Sequence, residues 1–204
     1  MKQVAIIDYG SCNLDSIARA VENCGGRPFV TDEAEELARA DQIILPGVGS
    51  YVVAMENLKA AGMDLAIRAE LARRPVPFLG ICLGMQLLTN SSLEDGFSEG
   101  LGLIDGKAER LSPTCKDERI PHMGWNEVVP ARDNGIFDGV VSGSDFYFAN
   151  SYHVTCDDQY VLAHTPYCGG FISAVAKDNL IGLQFHPEKS QGVGFQVLRN
   201  FLQR

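Results

Sequence analysis

The sequence predicts an α/β fold: a central, mostly parallel sheet with helices on both faces and antiparallel strand additions in the C-terminal half. Three observations carry that prediction. Through the first half, short apolar runs alternate with stretches of helical spacing, the rhythm of parallel strands joined by crossover helices. Glycine turns such as "LPGVG" and "GICLG" follow those runs, marking strand ends that lead into helices. After about residue 105 the texture changes to short strand-like segments separated by turn residues.

In chain order, "QVAIID" is a strand, and Leu14, Ile17, Ala18, Val21 and Cys24 recur at helical spacing up to Gly25-Gly26. "RPFVT" is a short strand, and "DEAEELARA" reads as a short acidic helix. "DQIILPGVGS" is a strand and glycine turn, followed by helical sequence from Tyr51 to about Arg74. "VPFLGI" is the next strand, and "CLGMQLL" opens the next helix. "KAERL", "NEVVP", "DFYFANSYHV", "YVLAHT" and "GFISAVAK" are the antiparallel additions, and "LIGLQF" is a last core strand. A closing helix turns Val197, Leu198, Phe201 and Leu202 inward. No repeat, linker or low-complexity segment divides the chain, which predicts one domain over residues 1–204.

The bulk numbers exclude several classes. A net charge of −9 argues against a nucleic-acid partner, since phosphate binding wants a basic surface. No apolar stretch approaches a membrane span, and the N-terminal run lacks a signal-peptide cleavage site. The six cysteines show no CxxC pair and the four histidines no HxxxH pair, so no metal is expected, and with no phosphate loop or dinucleotide fingerprint no cofactor is expected. Reduced thiols in a cytoplasmic compartment are the expectation.

In open α/β sheets, sites form beyond the C-terminal strand ends, and three segments fall there. In Gly80-Ile81-Cys82-Leu83-Gly84, a strand turning sharply into a helix can expose its corner residue, provided small residues stand two positions to either side. A helix N-terminus there would favour a thiolate, and the Leu83 N–H would face a developing oxyanion. The bland alternative is a buried cysteine with glycines that merely aid packing. In "LQFHPEKS", His186 ends an apolar strand, and in an extended His-Pro-Glu segment the Glu188 side chain points the same way. That pair can orient a base for a nucleophile, although a lone HxE is more often a solvated surface pair. In "LPGVGS", the backbone of Gly47, Val48 and Gly49 could supply a second oxyanion donor; taken alone, it is an ordinary turn.

"GICLGMQLL", "FHPE" and the early "LPGVG" resemble the class I glutamine amidotransferases, which carry a Cys-His-Glu triad on a flavodoxin-like fold. "DYGSCNLDSIARAVE", "PHMGWNEV", "FYFANSYHV" and "GLQFHPEKSQGVG" are similar to the branch that supplies ammonia to a (β/α)8-barrel cyclase subunit in histidine biosynthesis. By that resemblance Cys82 is the nucleophile, His186 the acid/base and Glu188 its orienter. Gln86 and Glu94 would hold the α-amino and carboxylate ends of L-glutamine, with Ser151 and Tyr152 in the same pocket. Pro121, His122, Met123, Gly124, Trp125, Asn126 and Tyr147 would face the cyclase, forming a heterodimer. Cys12 stands where the family usually has glycine or alanine, and Asn150 where it often has histidine. Other readings are a glutaminase subunit of another synthase, such as that of pyridoxal phosphate, an elbow-cysteine redox protein, or a binding module without activity. "PHMGWN" and the Gln86 context favour the histidine branch, and "FHPE" speaks against the redox protein.

Overall fold

The computed structural model describes residues 1–10 and 13–204, so position 12 lies outside the described residues. The first half runs β1 (Gln3–Ile7), α1 (Leu14–Asn23), β2 (Arg27–Thr31), β3 (Gln42–Leu45), α2 (Tyr51–Ala60), α3 (Met63–Arg73), β4 (Phe78–Ile81) and α4 (Leu83–Leu87). The second continues through β5 (Ser91–Ser92), β6 (Ser98–Glu99), β7 (Gly106–Arg110), β8 (His122–Pro130), β9 (Ser144–Asn150), β10 (Tyr152–Cys156), β11 (Val161–Thr165), β12 (Phe171–Lys177), β13 (Leu180–Leu183) and α5 (Gln191–Leu202).

The parallel core is ordered β2-β1-β3-β4-β13. Apart from the edge strand β2, its strands are short and almost wholly apolar, as burial on both faces requires. Alternate residues feed two different cores, because successive side chains leave a strand on opposite faces. Val4, Ile6, Ile44, Leu79 and Ile81 pack with Ile17 and Val21 of α1 and Val197 and Phe201 of α5. Ala5, Ile7, Ile43, Leu45 and Phe78 pack with Tyr51, Leu58, Ile67 and Leu87 on the other side. Each Val, Leu, Ile or Phe side chain among them, once buried, contributes about 1.5–3 kcal/mol. The antiparallel part starts where β12 joins β13, and continues through β10 to β7 on one branch and through β11 to the β8–β9 pair on the other.

Four elements differ from the sequence reading. The acidic segment forms a 3-10 helix, Ala34–Arg39. The long helix after residue 50 is two helices, parted where Gly62 takes φ +66, a conformation glycine enters without steric cost. "NEVVP" is only the end of β8, and "DFYFANSYHV" breaks at Ser151 into β9 and β10. No helix among the described residues is long and apolar enough to cross a membrane.

Because β1, β3, β4 and β13 are parallel, their C-terminal ends share one edge of the sheet. Tyr9, Pro46 to Gly49, Cys82 and Gln184 to His186 therefore emerge together.

Candidate active site

Cys82 follows β4 directly and takes φ 54 and ψ −110, a strained corner that costs a non-glycine residue on the order of 1–3 kcal/mol. The flanking glycines explain how the corner is tolerated. A Cβ on Gly84 would lie 1.9 Å from the Leu45 carbonyl oxygen, and one on Gly80 would lie 2.7 Å from that of Gly84. Packing and corner geometry are thus one requirement. The Cys82 N–H donates to Leu183 O at 2.7 Å. Its sulfur lies 3.9 Å from Ala149 O and 3.7 Å from Gln184 Nε2.

His186 is fastened to β9: its N–H donates to Tyr147 O at 2.9 Å, and its carbonyl accepts from Ser190 Oγ at 2.6 Å. The same hydroxyl accepts from the Tyr147 N–H at 3.0 Å. His186 Nδ1 meets Glu188 Oε1 at 2.8 Å. The expected pairing is present, but not through an extended segment: Pro187–Lys189 is a 3-10 turn with proline at its first position, where the fixed φ suits a helical start. Glu188 Oε2 is buried with no partner among the described residues, so much of its charge is directed at His186. Burial by itself pushes the His186 pKa down. The negative charge and hydrogen bond of Cys82, with those of Glu188, outweigh it and raise the pKa to about 10.

The oxyanion donors are not arranged as the sequence suggests. The Leu83 N–H donates to Gly47 O at 3.3 Å; as an unpaired donor in a first helical turn, it takes the nearest acceptor. Gly47 is packed in place, since a Cβ there would lie 2.5 Å from Tyr9 Oη and 2.8 Å from Leu83 Cβ. Tyr9 Oη also donates to Pro46 O at 2.9 Å. Beyond this anchor the turn is open: Gly49 has φ +96 and nothing within 4 Å of an added Cβ. Val48 and Gly49 line the adjoining cavity, and Gly47 does not.

That cavity, of about 290 Å³, gathers Cys82, Leu83 and His186 with Gln86, Glu94, Ser151, Tyr152 and Pro121. Gln86 is buried, and its Nε2 donates to Tyr152 O at 2.9 Å and to Gln184 Oε1 at 3.1 Å. Its carbonyl oxygen is the atom left for a ligand, an acceptor suited to an ammonium group. Glu94 Oε2 accepts from the Tyr51 N–H at 3.1 Å. Burial raises the Glu94 pKa, the Tyr51 N–H opposes this, and the neighbouring Asp95 charge adds to it. Three further residues escape the sequence reading as site residues: Gln184, Lys189 and Asn150. The cavity is lined by Lys189, whose Nζ stands 5.8 Å over the Tyr147 ring, and by Asn150, whose Nδ2 donates to Tyr152 O at 3.0 Å. Gln184 had a signal, as a polar residue ending an apolar run beside the histidine.

β8 leaves the cavity from Pro121. Met123 and Trp125 stand outward, 66% and 47% exposed, and Trp125 meets Tyr147 edge-on with ring centroids 6.0 Å apart. His122 corrects the expectation of an outward role. Strand alternation turns it inward, where it is buried and stacked 4.1 Å from Tyr167. Its Nε2 pairs with Asn126 Nδ2 at 3.1 Å.

Comparisons with known proteins bear on this arrangement. The family model described as class-I glutamine amidotransferase matches residues 5–204. A Campylobacter jejuni protein named imidazole glycerol phosphate synthase subunit HisH 1 is 41% identical over 198 residues, covering 97% of this chain and 98% of that one. The HisH subunit of Moorella thermoacetica is 45% identical over 202 residues, covering 98% of this chain and 94% of its own length. Among solved structures, PurLQS from Thermotoga maritima shares the fold, with a TM-score of 0.74 at 23% identity, covering 100% of this chain and 97% of that one.

Proposed function

Because the chain belongs to the class-I glutamine amidotransferases, we propose that it is the glutaminase subunit of an imidazole glycerol phosphate synthase. In this reading residues 1–204 form one amidotransferase domain that hydrolyses L-glutamine and passes ammonia to a (β/α)8-barrel cyclase. The cyclase would use it to make imidazole glycerol phosphate and aminoimidazole carboxamide ribotide in histidine biosynthesis. The names of the full-length relatives support the pathway. The carrying observation for the chemistry is the strained Cys82 facing His186, with Glu188 bonded to the far side of the imidazole. A nucleophile that must stay reduced fits a cytoplasmic setting.

The Cys82 thiolate attacks the side-chain amide carbon of glutamine, forming a C–S bond and an oxyanion. The His186 imidazolium gives its proton to the leaving nitrogen, the C–N bond breaks, and ammonia departs from a γ-glutamyl thioester. Thioester formation removes the sulfur's negative charge, one of the chief causes of the raised His186 pKa. His186, its proton gone with the ammonia, is thereby kept neutral and available for the second step, in which it takes a proton from water. Hydroxide adds to the thioester carbon, glutamate leaves, and the thiolate is restored. Glu94 and the Gln86 oxygen would hold the α-ammonium group, with Ser151 and Tyr152 beside them. Met123, Trp125 and Tyr147 would meet the cyclase near Pro121, at the mouth from which ammonia leaves.

Quenched turnover of the assembled synthase is expected to show a γ-glutamyl adduct on the peptide carrying Cys82. Glutamate release without that adduct would overturn the mechanism. The role of Glu188 makes a separate prediction about pH. With the His186 pKa raised to about 10, the imidazolium persists through neutral pH, and acylation is lost only as pH rises through about 10. Glu188→Gln removes the carboxylate and is expected to move that alkaline limb down, toward the ordinary histidine value of about 6.5. Single-turnover acylation measured across pH checks it, and a limb that stays in place contradicts the assignment.

A further inference from the structure

We infer that Gln184 is a positioning residue that aims an amide N–H at the Cys82 sulfur, and that Gln86 ties this amide to the ligand end of the cavity. The inference rests on the glutaminase reading above. Gln184 follows β13, has no exposed surface, and donates its backbone N–H to Ser173 O at 2.9 Å. A side-chain amide buried this completely must be satisfied internally. Its Oε1 accepts from Gln86 Nε2 at 3.1 Å, and its own Nε2 stands 3.7 Å from Cys82 Sγ.

The chain of contacts has only one sense. The Tyr152 carbonyl holds the Gln86 NH2 at 2.9 Å, that NH2 fixes the Gln184 oxygen, and the Gln184 NH2 is left facing sulfur. A half-turn of the Gln184 amide would set NH2 against NH2 and oxygen against sulfur, losing both contacts. The neighbouring residue completes the grip, since Leu183 O accepts the Cys82 N–H at 2.7 Å. Consecutive residues of one strand end thus hold the backbone and the side chain of the nucleophile. An N–H aimed at sulfur favours the thiolate, whereas Ala149 O, 3.9 Å away, can accept only from a neutral S–H. Gln184 therefore offers the sulfur a donor, and Gln86 shares one amide between ligand and nucleophile.

The test is the pH profile of Cys82 alkylation by iodoacetamide, followed on its own peptide in the full chain. Gln184→Met keeps length and apolar fit while deleting the donor. The alkylation midpoint is expected to rise by roughly one pH unit, with glutaminase kcat down about tenfold and KM little changed. Gln184→Glu, which puts a carboxylate beside the sulfur, is expected to raise the midpoint further. If neither folds, Gln86→Leu frees the Gln184 amide to turn and is expected to raise the midpoint as well. A lowered melting temperature with an unmoved midpoint means packing only and overturns the proposal. Alkylation needs no turnover, so this result stands apart from the fate of the glutaminase reading, which fails if Cys82→Ala still hydrolyses glutamine.

Discussion

Cys82→Ala is expected to lower glutamine-dependent synthesis by about 10⁴-fold or more, while synthesis from added ammonium salts continues at its normal rate. The size follows from removing the nucleophile of a triad that acts as a unit; its remaining members then have no thioester to form. Survival of the ammonia reaction follows from separate chemistry, because ammonia enters the cyclase reaction after the step that needs sulfur. The substitution is also mild for the fold. Alanine is smaller, the Cys82 backbone bond to Leu183 O does not involve the side chain, and the flanking glycines still admit the corner. Assaying both nitrogen sources on one preparation separates the outcomes. Normal glutamine use would refute the nucleophile assignment, and loss of both activities would point to a damaged assembly.

The second large effect concerns the partner. Glutamate release by the isolated chain is expected to be at least about 10²-fold slower than by the complex with its acceptor ligand. One oxyanion donor is worth about 10²–10³ in rate, and here the Leu83 N–H is held by Gly47 O at 3.3 Å. The turn that holds it is anchored at one end and free at the other. Tyr9 fastens Pro46 and crowds Gly47, while Gly49 sits at φ +96 in open space. Turning the Gly47–Val48 peptide, which carries the Gly47 carbonyl, would free the Leu83 N–H, and the open turn at Gly49 lets the chain follow. Val48, at 42% exposed, also gives an incoming partner something to press on. Steady-state glutamate release with and without partner and ligand measures this, and equal rates would contradict it.

The outcome for particular residues shows what was legible. β1, β3 and β4 were readable because a strand buried on both faces must be a short apolar run. α5 was readable because Val197, Leu198 and Phe201 mark one face of a helix. The break at Gly62 was not, since an isolated glycine is tolerated within a helix and only packing decides whether the chain turns there. The inward turn of His122 was not legible, because the resemblance marks "PHMGWN" as one block, whereas the pleat of β8 sends alternate side chains to opposite faces.

By itself the sequence determined the composition of the site: a cysteine between glycines, a His-Pro-Glu after an apolar strand, and a glycine turn, each at a strand end. Those are local signals, written in neighbouring residues and therefore readable along the chain. The tertiary structure alone decided how they meet. It bonded the Leu83 N–H to Gly47 O, linked Gln86 to Gln184 and Gln184 to Cys82, and closed His186 onto Glu188 through a 3-10 turn. All of these but the His186–Glu188 pair join residues far apart in sequence, and their direction depends on which donor finds which acceptor once the strands are side by side. No periodicity along the chain encodes that choice; the parallel register of β4 with β13 does.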